Sequence, residues 1–175
     1  MYIFMEERML LYKQIYKNDE KLVQQLTSLW VDYMHEIYYE DKDVSQESDD
    51  TIINWLTDRV NVQGQRDSMH FECVFDDDNL LGFIFYAIDL GGIRGIIEAG
   101  FGYIMEMYVV PKARRKRFGT EIYEHAKENM IDDGAIMAYL TPDSKAGVPF
   151  WETIGFKNSG KIDPDNKMPI YVKEL

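Results

Sequence analysis

Residues 109–120, Val-Val-Pro-Lys-Ala-Arg-Arg-Lys-Arg-Phe-Gly-Thr, constrain the fold more than any other stretch of the chain. An apolar run ends at Val110, a proline follows, and five of the six residues from Lys112 to Arg117 are basic. Apolar residues then recur at Phe118, Ile122, Ala126 and Met130, the spacing of one helix face. The segment reads as strand, turn, cationic loop, helix. The first N–H groups of a helix have no partner inside it and lie at the positive end of its dipole, so they receive anions. With Arg and Lys clustered just ahead of them, the expected occupant is a pyrophosphate-bearing ligand. A solvated surface run needs neither the strand before it nor the helix after it. A nucleic-acid patch would sit in a basic domain, whereas this chain carries a formal charge of −12 and repels polyanions overall.

The chain of 175 residues is the size of one domain, taken as 1–175, with a full core. Apolar residues at 46% are too many for a disordered protein. The longest apolar runs fall far short of a membrane span, and the start Met-Tyr-Ile-Phe-Met-Glu-Glu-Arg lacks the basic opening of a signal peptide. Cys73 is the single cysteine, and His35, His70 and His125 have no metal-ligand spacing. The expectation is a soluble, cytoplasmic domain without a metal, a membrane or a nucleic-acid partner. Between Glu36 and Asp50 there are seven acids and one lysine, a solvated stretch or the edge of a field that gathers cations.

A first strand is expected over 9–16. Asn18 would cap a helix over 19–38, whose stripe is Leu22, Leu26, Leu29, Tyr33 and Ile37. A second helix starts after Ser48, with Ile52, Leu56 and Val60 on its apolar side. His70–Phe75 and Leu80–Ile88 form a hairpin around Asp76-Asp77-Asp78-Asn79. Glycines at 91, 92 and 95 punctuate the next connection, and a long strand over about 98–110 carries Gly100 and Gly102, which suggest a bulge or a close approach. After the helix from Phe118, a strand is expected over Ala135–Thr141, a short helix over Val148–Ile154, and a last strand near Ile170–Val172. The order is β-α-α-β-β-β-α-β-α-β, a mixed sheet with helices on its faces.

Two segments resemble the GNAT superfamily of acyl-CoA-dependent N-acyltransferases. Met107-Tyr108-Val109-Val110-Pro111 followed by Arg114-Arg115-Lys116-Arg117-Phe118-Gly119-Thr120 is similar to the family's strand ending in Val-x-Pro and its loop Arg/Gln-x-x-Gly-x-Gly/Ala. Phe150-Trp151-Glu152-Thr153-Ile154-Gly155-Phe156 is similar to the family's Phe/Leu-Tyr-Glu-x-x-Gly-Phe ending. The resemblance implies an α/β (α+β) fold with a mostly antiparallel mixed sheet and helices on both faces. It implies acetyl-CoA as co-substrate, its pantetheine arm in a gap beside the fourth strand at Met107, Tyr108 and Val109. The pyrophosphate would rest on the loop from Arg114 and Arg115 through Lys116, Arg117, Phe118, Gly119 and Thr120. Two positions depart from the family. Arg117 stands where the first loop glycine is usual, so a left-handed backbone there would be strained. Trp151 stands where a tyrosine often serves as general acid, and an indole has no practical acidity, so Trp151 is expected to be a pocket wall against the cofactor.

Amine acylation needs a neutral amine, hence a group that removes a proton. Strand alternation would put Glu106, Tyr108 and Val110 on one face and Met105, Met107 and Val109 on the other. Glu106, the one acid inside this otherwise apolar strand once its first residue, Glu98, is passed, is the candidate catalytic residue; a glutamate in a surface ion pair is the plainer reading. Tyr33, with Tyr38 and Tyr39, falls in the acceptor wall that the resemblance implies, and Tyr139 falls near a position that carries a catalytic carboxylate in some peptide-acetylating members, where as a tyrosine it is expected to be aromatic core or cleft lining. The function implied is transfer of acetyl from acetyl-CoA to a primary amine of a small or peptidic cationic substrate, by direct attack in a ternary complex. A non-catalytic acyl-CoA-binding module of the same fold stays open, as does a homodimer.

Overall fold

Local signals set most element boundaries in the computed structural model, which describes residues 9–40, 47–91, 97–142 and 144–175, the side chains at 38–40 and 144–146 excepted. The acidic residues at 41–46 and the glycines at 92 and 95 lie outside them. Strand β1 (Leu11–Gln14) leads to α1 (Glu20–Glu40), whose cap is Asp19 rather than Asn18: the Leu22 N–H donates to Asp19 Oδ1 at 3.1 Å. Helix α2 (Asp49–Val62) is capped by Ser48, whose hydroxyl accepts from the Thr51 N–H at 3.3 Å. Ile52, Leu56 and Val60 are buried, as the apolar stripe requires.

Strands β2 (Met69–Asp76) and β3 (Asn79–Asp89) form the expected hairpin, with Asp77 in the left-handed region at φ 51°. Both strands are buried on both faces, which is why their apolar residues run on instead of alternating. After β4 (Phe101–Val109) and a 3-10 turn at Pro111–Ala113 come α3 (Phe118–Asp132), β5 (Met137–Leu140), α4 (Ser144–Thr153), β6 (Lys157–Ile162) and β7 (Pro169–Glu174). The sheet order is β1-β2-β3-β4-β5-β7-β6, antiparallel except between β4 and β5. Helices α1 and α2 pack Leu26, Trp30 and Leu56 against Phe71 and Phe83 on one face. Helices α3 and α4 pack Ile122, Met130 and Trp151 against Ile84 and Ile104 on the other. Among the described residues no helix is long and apolar enough to cross a membrane.

Strand β6 is one strand more than the sequence led us to expect. Its Lys-Asn-Ser-Gly-Lys-Ile run is almost wholly exposed at the sheet edge, so no apolar alternation announces it.

The features that open the site are all on β4. Phe85 pairs with Glu106 and Tyr86 with Ile104, leaving Met105 as the extra residue of a bulge. The bulge breaks the expected alternation at Met105 alone. Met105 joins Tyr108 on the α1/α2 side, whereas Ile104, Met107 and Val109 pack towards α3 and α4. The pairing of β4 with β5 spans only Gly102↔Ala138 and Tyr103↔Tyr139, and beyond Tyr103 the two strands part.

Arg117 precedes α3 at φ 69° and ψ −1°, so the position of the first loop glycine is left-handed here and is held by a residue that fits that region poorly. Replacing it by glycine should relieve about 1 kcal/mol of strain, partly offset by backbone entropy. Arg117→Gly is therefore expected to gain about 0.5 kcal/mol and raise the melting temperature by about 1–2 °C in a domain of this size. Thermal unfolding checks this; a lower melting temperature would mean that the Arg117 side chain contributes more than its backbone costs.

Candidate active site

Where β4 leaves β5, a cleft of about 490 Å³ opens. Its floor is Ile104 to Val109 of β4, facing Leu140 at the end of β5 and Thr141 and Pro142 beyond it. Tyr33, Glu36 and Ile37 from α1 form one wall, and Gly147, Phe150 and Trp151 from α4 form the other. Arg114, Arg115, Arg117, Gly119 and Thr120 close one end. The cationic loop and Glu106, eight or more residues apart in sequence, thus share one cavity.

The loop is held from below by Phe118, which is buried against Leu81 and Ala113, so only its backbone can face a ligand. Arg117 offers no side-chain cap to α3, leaving the first-turn N–H groups for another acceptor. A Cβ on Gly119 would come within 3.1 Å of the Phe150 ring, which keeps this side of the cavity narrow and glycine-dependent. Lys116 is exposed and is not among the residues lining the cleft. Arg114 is engaged elsewhere: Nη1 and Nη2 lie 2.7 and 2.8 Å from Oε1 and Oε2 of Glu36, and Nε donates to the Val109 carbonyl at 2.9 Å.

Glu106 is 12% exposed, and both its oxygens are occupied. Oε1 accepts from Arg59 Nε at 3.0 Å and Nη2 at 2.6 Å, and Oε2 accepts from the Tyr33 hydroxyl at 2.6 Å. Arg59 is itself fixed, with Nη1 on the Trp55 carbonyl at 3.1 Å and the guanidinium 4.8 Å from the Trp30 ring. The ion pair of the plainer reading is present, but below the surface and with this half-buried arginine of α2. Arg59 follows Leu56 by three residues and therefore faces the same way, which is the only trace of its role in the sequence. Burial, then Glu106, pushes the Tyr103 phenol up to about 12, and burial, then Glu36, does the same for Tyr108. Both remain neutral hydrogen-bond donors near neutral pH.

Tyr139 does not reach the cleft. It is fully buried with Ile97 and Ile170, stacked on Tyr103 at 4.4 Å, and its hydroxyl donates to Asp89 Oδ2 at 2.6 Å. Its place beside Tyr103, in the last pair that β4 and β5 share, keeps it within the closed part of the sheet. Trp151 does line the cleft, edge-on to Tyr123, Phe150 and Phe156. Tyr38 and Tyr39 follow Tyr33 on α1, but their side chains fall outside the described residues.

A sequence profile of the acetyltransferase (GNAT) family matches residues 24–156, which include the cleft and its loop. The chain belongs to the GNAT acetyltransferase family. No curated protein matches the sequence. Among solved structures, the GNAT chain is similar to the PaiA N-acetyltransferase of Thermoplasma acidophilum in complex with coenzyme A, with 19% identity, 95% of this chain and 99% of that one covered, and a TM-score of 0.71. It is similar to an acetyltransferase of Streptococcus agalactiae at 21% identity, 95% and 98% coverage and a TM-score of 0.64. It is also similar to a chain of the NatC complex bound to Gag peptide and CoA, at 16% identity, 95% and 98% coverage and a TM-score of 0.58. These likenesses establish the shared fold.

Cys73 bears on whether this GNAT domain carries a covalent acyl group. It is fully buried on β2, and burial, followed by the charge of Asp19, pushes its thiol up to about 12. Below that pH the thiol stays protonated and unreactive. A thiol reagent at pH 8 should modify Cys73 at least about 100-fold faster in denaturant than in the folded protein. Rapid labelling of the folded protein would reopen a thioester intermediate.

Proposed function

We propose that the protein is an N-acetyltransferase that moves an acetyl group from acetyl-CoA to a primary amine of a small or peptidic cationic substrate, by direct attack in a ternary complex. One observation carries the reading: a single cleft joins an anion-receiving helix start to a carboxylate on the splayed strand. The residues present fit acetyl-CoA. Backbone N–H groups from Arg115 to Thr120 and the guanidinium groups of Arg115 and Arg117 would hold the pyrophosphate, with Gly119 leaving room for its approach. The edge of β4 at Met107, Tyr108 and Val109, which β5 does not pair, would hold the pantetheine amides. When bound, acetyl-CoA supplies an activated acyl carbon and a thiol leaving group that departs readily as a thiolate.

Glu106 draws the acceptor's ammonium into the cleft and takes its proton, so that the nitrogen lone pair is free to attack. Arg59 and Tyr33 hold the carboxylate in one orientation. Trp151 shapes the wall and donates no proton to the chemistry. The similarity to CoA-bound GNAT structures, one of them with a peptide, supports this reading. The reading requires no metal and places the protein in the cytoplasm, as a monomer or a homodimer.

A thiol-release assay with acetyl-CoA against polyamines, aminoglycosides, amino acids and short peptides tests it: acceptor-dependent thiol release is expected. Glu106 with both oxygens already occupied favours a second reading, a non-catalytic acyl-CoA-binding module. That module would bind CoA in calorimetry yet release no thiol with any acceptor.

A further inference from the structure

One arginine of the anion loop is turned away from it and held by the opposite wall. The two guanidinium nitrogens of Arg114 lie 2.7 and 2.8 Å from the two oxygens of Glu36, and the guanidinium carbon sits 5.3 Å from the Tyr108 ring centre. The Tyr108 hydroxyl donates to Glu36 Oε2 at 3.2 Å, orienting the carboxylate. A carboxylate along one edge and an aromatic ring against the face make a receptor for a planar cation, and the chain's own guanidinium fills it. Glu36, Tyr108 and Arg114 line the same cleft as Glu106. Arg59, the partner of Glu106, is locked on Trp30 and is not a lining residue. Of these two carboxylate–arginine pairs, only the one at Glu36 has its cation inside the cleft.

We infer that Glu36 and Tyr108 form a subsite for a second, non-reacting cationic group of the acceptor, and that Arg114 occupies this subsite until a phosphate-bearing ligand draws it into the loop. The inference rests on the acetyltransferase reading for the identity of that ligand. Arg114 and Glu36 are 38% and 35% exposed, so water screens their attraction and the pair is easily exchanged. A pyrophosphate on the neighbouring N–H groups would offer the guanidinium more negative charge and the same two-pronged geometry. Acceptor and CoA then both favour the state in which Arg114 has left Glu36, and each tightens the other by the same factor. The acceptor class that follows carries a guanidinium or ammonium apart from its reacting amine.

Calorimetry with L-argininamide, with L-norleucinamide as its counterpart lacking the side-chain charge, and with CoA in place of acetyl-CoA so that nothing turns over, tests the subsite. For the unaltered protein, saturating CoA should tighten L-argininamide about tenfold, the limit set by a closed state favoured about tenfold, and L-norleucinamide by less than about threefold. Arg114→Gln empties the subsite, so L-argininamide should bind about tenfold tighter than to the unaltered protein without any CoA, and CoA should add little. Glu36→Gln should reduce L-argininamide to the level of L-norleucinamide under both conditions. An L-argininamide affinity in the unaltered protein that ignores saturating CoA, or an Arg114→Gln protein that binds it no tighter without CoA, overturns the inference. Failure of CoA itself to bind would instead sink the acetyltransferase reading, and the Arg114→Gln arm, which uses no CoA, would still decide the subsite.

Discussion

Glu106→Gln should lower kcat/KM for the amine acceptor by about 100-fold, about 2.7 kcal/mol in the barrier, while CoA affinity stays within about twofold. The amide keeps the shape of the carboxylate and can still accept from Tyr33 or Arg59. It can neither take a proton nor balance a cationic amine. The deficit should be widest well below the acceptor's pKa, where free amine is scarce, and should narrow as the pH rises and the amine arrives already neutral. The substitution also leaves the 30%-exposed Arg59 without its counter-charge, so a modest fall in melting temperature accompanies it. Thermal unfolding separates that effect from catalysis. A kcat/KM within about threefold of the unaltered protein at every pH would remove Glu106 from the mechanism.

Gly82→Ala is expected to be the most damaging small substitution in the sheet. Gly82 pairs with Val109, and a Cβ there would overlap the carbonyl oxygen of Tyr108. That obstacle is backbone, held by the neighbouring bond from the Val110 N–H to the Leu81 carbonyl at 2.8 Å, and cannot swing aside as a side chain would. Strands β3 and β4 must separate, at a cost of about 3 kcal/mol or about 6–12 °C in melting temperature. Because β4 is the floor of the cleft, CoA binding should weaken as well. Calorimetric unfolding of Gly82→Ala checks the first effect, and a shift under about 2 °C would show that β4 yields more easily than its hydrogen bonds imply.

The helices, the hairpin and the segment from Met107 to Thr120 could be read directly from the chain, because caps, apolar periodicity and turn residues act over a few neighbouring positions. So could the two motifs of the acetyltransferase family and the place of Glu106 in an apolar strand. Other features were illegible for particular reasons. Strand β6 exists by pairing with β7 at an exposed edge, and no periodicity marks a strand that buries nothing. Asp19 rather than Asn18 caps α1, and two adjacent cap-forming residues leave that choice open to a sequence reading.

What only the tertiary structure decided is the company each site residue keeps. The bulge at Met105 lies where β4 stays paired with β3 but has already left β5, and it reverses the side on which Met105 lies. Glu106 meets Arg59 from α2 and Tyr33 from α1, while Arg114 turns to Glu36 instead of its own loop. Tyr139, with the right residue type in the right strand, ends up in the closed part of the sheet. The amino-acid sequence by itself determined the elements and the chemistry each one carries, since backbone propensity, capping and apolar stripes are local. Which charges pair and which remain in the cleft depends on contacts between residues far apart in the chain. Those contacts are set by how the helices close over the splayed strands, and no local pattern records that geometry.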